Sequence, residues 1–181
     1  SLYSNKLKSN NTSVGYQTLY TSTGGSDNTA VGHTALTAVT TGDENTGIGS
    51  QALSVSTTGG ENTAIGSQSL AGTTTGSENI AIGYASGITN ISGKYNTFLG
   101  ATADTSKASI ENSTAIGYGA IASVDNQIMI GTASEITCIP GDVSMNKNLY
   151  ITGDISLNTD LWVGGDSSFN GDVTITGNLK A

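Results

Sequence analysis

A five-residue segment, typically two polar residues, a small one, an aliphatic one and glycine, returns along this chain at a spacing of 17 residues. It reads NTSVG from Asn11, NTAVG from Asn28, NTGIG from Asn45, NTAIG from Asn62, NIAIG from Asn79, NTFLG from Asn96 and STAIG from Ser113. An eighth segment, QIMIG from Gln127, follows after a shorter step of 14. Fixed-period self-similarity of this kind signals stacked coils of one supersecondary unit. The short polar–small–aliphatic run predicts a brief strand with one face on a narrow core. No window holds the i, i+3, i+4 apolar pattern long enough for a helix.

Four further columns share the period. Val14, Val31, Ile48, Ile65, Ile82, Leu99 and Ile116 form one aliphatic column, and Leu19, Leu36, Leu53, Leu70 and Ile121 a second. Both are expected to fill the core. Gly87 and Asp104 interrupt the second, so the fifth and sixth coils should be looser there. Gly15, Gly32, Gly49, Gly66, Gly83, Gly100 and Gly117 form a glycine column. Gly25, Gly42, Gly59, Gly76 and Gly93 form another ten residues later. Glycine supplies positive φ or close backbone approach at corners, and two corners predict two short strands per coil. The Asn column from Asn11 to Asn96 suits amide ladders along a cross-β axis. So thin a core requires burial between subunits, which predicts an obligate oligomer.

After Gly131 the rule changes. The sole proline, Pro140, marks a boundary, and a 12-residue period starts at Gly141, Gly153, Gly165 and Gly177. Alternating pairs such as Val143/Met145 and Leu149/Ile151 predict very short strands that bury a face only when several chains share an axis. The expected organisation is a 17-residue β-roll over 1–131, a connector over 132–140 and a trimeric β shaft over 141–181. Repeats are cut at both ends, which predicts a slice of a longer polypeptide.

The run STAIGYGAIASVDNQIMIG, from Ser113 to Gly131, resembles the YadA-like head repeats of trimeric autotransporter adhesins. The likeness extends over Asn11 to Gly131. It implies a parallel β-roll, a homotrimer and adhesion. The family's repeats run at 14 residues, so the 17-residue steps here imply a longer outer turn. The NTAIG–TTG form is also similar to repeats in trimeric fibre proteins of phages and large viruses. That likeness implies a virion fibre that attaches to host cells.

Composition narrows the function classes. Six basic against 14 acidic residues give a net charge of −8, with no Lys/Arg cluster to neutralise phosphates, so nucleic-acid binding is not expected. No run of 18 apolar residues is present, so no membrane insertion is expected. One Cys (Cys138) and one His (His33) cannot close a zinc site. No nucleophile elbow or phosphate loop occurs, and no enzyme activity, cofactor or metal is expected.

The remaining candidates are surface columns. Tyr16, His33, Tyr84 and Tyr118 share one, directly after the first glycine corner, and form the candidate receptor-facing surface with Trp162 of the second module. Aromatics there suit a cell-surface glycan or protein. Asp27, Glu44, Glu61 and Glu78 form an acidic column, read as a solvated edge or a ladder for cations. Thr12, Thr29, Thr46, Thr63, Thr97 and Thr114 form a threonine ladder, with Thr40/Thr41, Thr57/Thr58 and Thr74/Thr75 as another. Ordered threonines also suit ice. The expectation is a non-enzymatic homotrimeric fibre segment, extracellular or on a virion, with a bacterial adhesin or extracellular filament subunit and an ice-binding solenoid as alternatives.

Overall fold

The computed structural model describes residues 9–134 and Thr137. The shaft expected over 141–181, with its 12-residue repeats and Trp162, lies outside the described residues, as does Cys138. Within them the chain is a parallel β-solenoid without helix. Eight strands build its main sheet: β1 Thr12–Val14, β2 Thr29–Val31, β3 Thr46–Ile48, β4 Thr63–Ile65, β5 Ile80–Ile82, β6 Thr97–Leu99, β8 Thr114–Ile116 and β10 Ile128–Ile130. The register follows the sequence period. Thr12 pairs with Thr29, and so on by 17 to Thr97 with Thr114. The last step pairs Thr114 with Ile128, 14 residues apart.

Two strands per coil were expected, and the structure corrects this. Among the described residues a second strand exists only as β7 Asp104–Thr105 and β9 Ile121–Ala122, which pair with each other. In the earlier coils the corresponding segment is a stacked turn. Its leucine takes left-handed backbone, with φ 49° at Leu19, 48° at Leu36, 50° at Leu53 and 49° at Leu70. Such a φ is costly for a branched side chain. Each leucine is nevertheless fully buried, so burial offsets the strain.

The second correction concerns which face of the strand turns inward. The middle, small residue is the buried one: Ala30, Ala64, Ala81 and Ala115 are fully enclosed. The aliphatic column that was expected in the core lies outside. Val14, Ile48, Ile65, Ile82 and Leu99 are between 38% and 57% exposed. The coil is too narrow for two aliphatic rows. A side chain on Gly47 would already stand 3.2 Å from Leu36 Cγ, so the leucine occupies the space across from the strand.

Coils five and six are not loose, which is the third correction. Gly87, in the leucine column, leaves room that Phe98 fills from the strand opposite. A Cβ on Gly87 would fall 2.7 Å from Phe98 Cδ2, and Phe98 is fully buried. Asp104, the other interruption, opens β7. Its Oδ1 accepts from Thr105 N–H at 2.8 Å and its Oδ2 from Thr89 N–H at 3.0 Å.

The asparagine ladder is present. Asn28, Asn45, Asn62 and Asn79 are fully buried. Each Nδ2 donates across the coil to the carbonyl of Gly42, Gly59, Gly76 or Gly93, all at 2.9 Å. Each Oδ1 accepts the backbone N–H of the next asparagine: Asn45 from Asn62 at 3.1 Å, Asn62 from Asn79 at 3.1 Å. Asn96 continues the ladder, its Oδ1 accepting Ser113 N–H at 2.9 Å. The second glycine column exists for this stacking. A Cβ on Gly59 would fall 2.1 Å from Gly76 O. The first column adds left-handed backbone, with φ from 117° to 137° between Gly15 and Gly117.

Candidate functional site

The outer face of the main sheet carries two parallel rows. One is the aliphatic ridge, from Val14 through Ile48, Ile65, Ile82 and Leu99 to Ile130. The other is the threonine row, two residues earlier in each strand, where Ile80 and Ile128 replace Thr and are themselves exposed. Alternation in a strand puts both rows on one side. Eight strands at ~4.8 Å make the face about 34 Å long.

Beside it runs the aromatic column. Tyr16, Tyr84 and Tyr118 are 63%, 58% and 73% exposed, and His33 is exposed as well. Tyr16 and His33, on adjacent coils, stack with centroids 5.2 Å apart and planes 12° apart. Tyr84 and Tyr118 stand two coils apart, with half-buried Ala101 between them. The ladder N–Hs of Thr34 and Gln51 bond to the carbonyls of Tyr16 and His33, both at 2.8 Å. These bonds hold the column straight while leaving the rings in solvent.

The acidic column is exposed and uniformly left-handed. Asp27, Glu44, Glu61 and Glu78 have φ between 57° and 59°. Tyr95 continues it at φ 59°, a member the acidic pattern alone did not reveal. The charge of Glu78, and a hydrogen bond to it, push the Tyr95 phenol above its ordinary pKa. Burial pushes the Asp104 carboxyl up, against the hydrogen bonds from Thr89 and Thr105. Among the described residues, no group of three or more His, Cys, Asp or Glu side chains is placed to hold a metal. Among the same residues, no helix is long and apolar enough to cross a membrane.

In the second threonine ladder the first hydroxyl of each pair bonds to the next coil. Thr40 Oγ1 donates to Thr57 O at 2.9 Å and Thr57 Oγ1 to Thr74 O at 3.1 Å. Asn90, which opens an Asn-x-Ser glycan-acceptor motif with Ile91 and Ser92, is fully buried.

A feature of the outer turn escaped sequence reasoning altogether. Three successive N–H groups converge on one carbonyl of the next coil. Thr57, Thr58 and Gly59 donate to Thr74 O at 3.0, 3.3 and 3.4 Å. Thr74, Thr75 and Gly76 donate to Ile91 O at 3.0, 3.2 and 3.3 Å. Ile91, Ser92 and Gly93 donate to Ala108 O at 3.0, 2.9 and 3.3 Å. Such a cluster of backbone N–Hs is a nest, a local concentration of positive partial charge.

Comparison with protein-family models, with characterised proteins and with solved structures returns no match. The resemblance to YadA-like repeats therefore rests on the repeat residues and on the solenoid they form.

Proposed function

We propose that the chain is a non-enzymatic structural segment of an extracellular homotrimeric fibre, most simply a virion fibre, that presents a surface for attachment to host cells. The observation that carries this reading is the aliphatic ridge. Soluble monomers seldom leave a continuous apolar strip of this length in water, and such strips mark contact surfaces. Three copies that turn their ridges towards a common axis would bury Val14, Ile48, Ile65, Ile82, Leu99 and Ile130 together. The narrow interior of one coil points the same way, because a single chain buries little aliphatic surface of its own. The aromatic column, beside the ridge, would then be the part left to meet a glycan or protein receptor. An adhesin or filament subunit uses the same assembly in a bacterial setting.

Sedimentation equilibrium on the full chain tests the assembly. The expected mass is that of three 18.2 kDa chains. Ile65→Lys with Ile82→Lys should abolish the trimer, because each would bury an unpaired charge. A folded monomer of the unmodified chain at micromolar concentration would overturn the reading. Attachment is tested by Tyr84→Ser with Tyr118→Ser, a residue the column already uses at Ser50 and Ser67. Cell or glycan binding should fall with the trimer intact.

A second reading is favoured by one observation, the threonine row in strict register with the ridge on the same face. That array suits ice, and it needs the face to be open. Thermal hysteresis in a monomeric sample would support ice binding, and its absence in a trimer would remove it.

A further inference from the structure

The last coil is shorter than the others, and the hydrogen bonds locate the missing residues. Up to Ser123 the old spacing holds, since Ser106 Oγ donates to Ser123 O, 17 residues on. From Val124 the spacing is 14. Ser113 Oγ donates to Val124 O at 3.0 Å and Glu111 N–H to Asp125 Oδ1 at 3.0 Å. Val124 thus stands above Ile110, as Ser123 stands above Ser106. Lys107, Ala108 and Ser109 have no counterpart above them.

The residue lost is the one whose carbonyl closes the nest. In the three preceding coils that role falls to Thr74, Ile91 and Ala108. The equivalent N–Hs, those of Ala108, Ser109 and Ile110, meet no such carbonyl of a following coil among the described residues, and Ala108 and Ser109 form a turn. Beside it, where the missing residues would lie, is a cavity of about 270 Å³ lined by Lys107, Ser109, Ile110, Ser123, Val124 and Asp125. Lys107 adds an exposed ammonium at the rim. We propose that this run of N–Hs at the short step, Ala108–Ile110 with Lys107, is an oxyanion site that takes a carboxylate or sulfate group.

The physical case is substitution. An anionic oxygen replaces the carbonyl oxygen that the equivalent three donors hold in the three preceding coils. Charge makes the bond stronger than the neutral one it replaces. The surroundings also select. Asp125 lines the cavity and Glu111 lies beside it, so a bare anion meets opposing charge. An anion that also carries hydroxyls can offer them to Asp125 and to the Ser109 and Ser123 side chains. Ile110 and Val124 supply an apolar wall. Those features favour an acidic sugar over a free inorganic ion. The site does not depend on the trimer reading, because every group in it comes from one chain.

The test is titration of the ¹⁵N-labelled full chain at constant ionic strength with sodium sulfate, sodium acetate, glucuronate and glucose. The expected result is saturable shifts at the amides of Ala108, Ser109 and Ile110 with the three anions and not with glucose. Glucuronate binding more tightly than acetate assigns the site to acidic saccharides. Equal affinities assign it to oxyanions generally. Lys107→Gln should weaken binding by up to about fivefold, the worth of one exposed charge pair. A Gly-Thr-Ala insertion between Ser123 and Val124 restores the 17-residue step and should abolish the shifts. If the insertion variant does not fold, the amides of Thr57, Thr58 and Gly59, whose nest is closed, provide the control. No saturable shift with any anion, equal shifts at Thr57–Gly59, or shifts that persist in a folded insertion variant would overturn the site.

Discussion

Coils two to four and coils five to seven obey the same period but close their interiors by different means. In the earlier coils a left-handed leucine, Leu36 or Leu53, faces a small strand residue, Gly47 or Ala64. In the later ones the sizes are exchanged, with Gly87 facing Phe98, and then a carboxylate, Asp104, takes the leucine place. The exchange shows that the repeat constrains the summed volume across the coil and the backbone path. It does not constrain which wall supplies the bulk. Close packing makes that sum the selected quantity.

The largest expected effect breaks this pairing. Phe98→Ala should cost about 3–5 kcal/mol, the usual loss for an enclosed phenylalanine. Gly87→Leu alone should also destabilise, because its side chain would meet Leu70 and Phe98. Together they rebuild the leucine–alanine pair of the earlier coils, and the double variant should recover most of the loss. Denaturant melts of the four proteins check this, and simple additivity would show that the two positions are not coupled.

Asn62→Ala should come next, at about 2–3 kcal/mol. It removes the acceptor of Asn79 N–H and the donor to Gly76 O inside a dry column. The corresponding change at Asn11, half-buried at the first described coil, should cost less. Thermal denaturation of the two variants compares the middle of the ladder with its end.

Asp104 separates the two regions by pH. Burial raises its pKa in the folded chain above the unfolded value. Its contribution is therefore fully present below the ordinary carboxylate range and is lost as pH rises through the raised value. Asp104→Asn keeps an acceptor for Thr89 and Thr105 but carries no charge. Relative to this variant, the parent should lose stability as pH rises above the ordinary carboxylate range of about 4. A parent–variant gap in melting temperature that does not change with pH would contradict it.

The smallest expected effect concerns the acidic column. Glu61→Asn should stabilise by about 1 kcal/mol, because asparagine tolerates left-handed backbone better than glutamate. The column already uses it at Asn10, Asn112 and Asn126, with φ 64°, 51° and 59°. Urea midpoints read the gain directly.

The period, the parallel stacking, the asparagine ladder and both glycine columns were legible in the sequence. Each depends on residues 17 apart meeting one another, and that relation is set by the repeat alone. The aromatic column could be read for the same reason. The exposed position of Tyr95 beside Glu78 was hidden because a tyrosine breaks an acidic pattern. The nests were hidden because backbone donors leave no residue signature.

What the sequence did not decide is which way the strands face. A triplet such as Thr63-Ala64-Ile65 alternates whichever side is taken as inner, and a shift by one residue reverses both faces. A strand of three residues offers too few positions to break that tie. The tertiary structure breaks it through width. Leucines on the opposite wall, held in left-handed turns, already occupy the interior at Leu53 and Leu70. Only an alanine or glycine fits across from them, so Ile65 and its column are turned out to the surface.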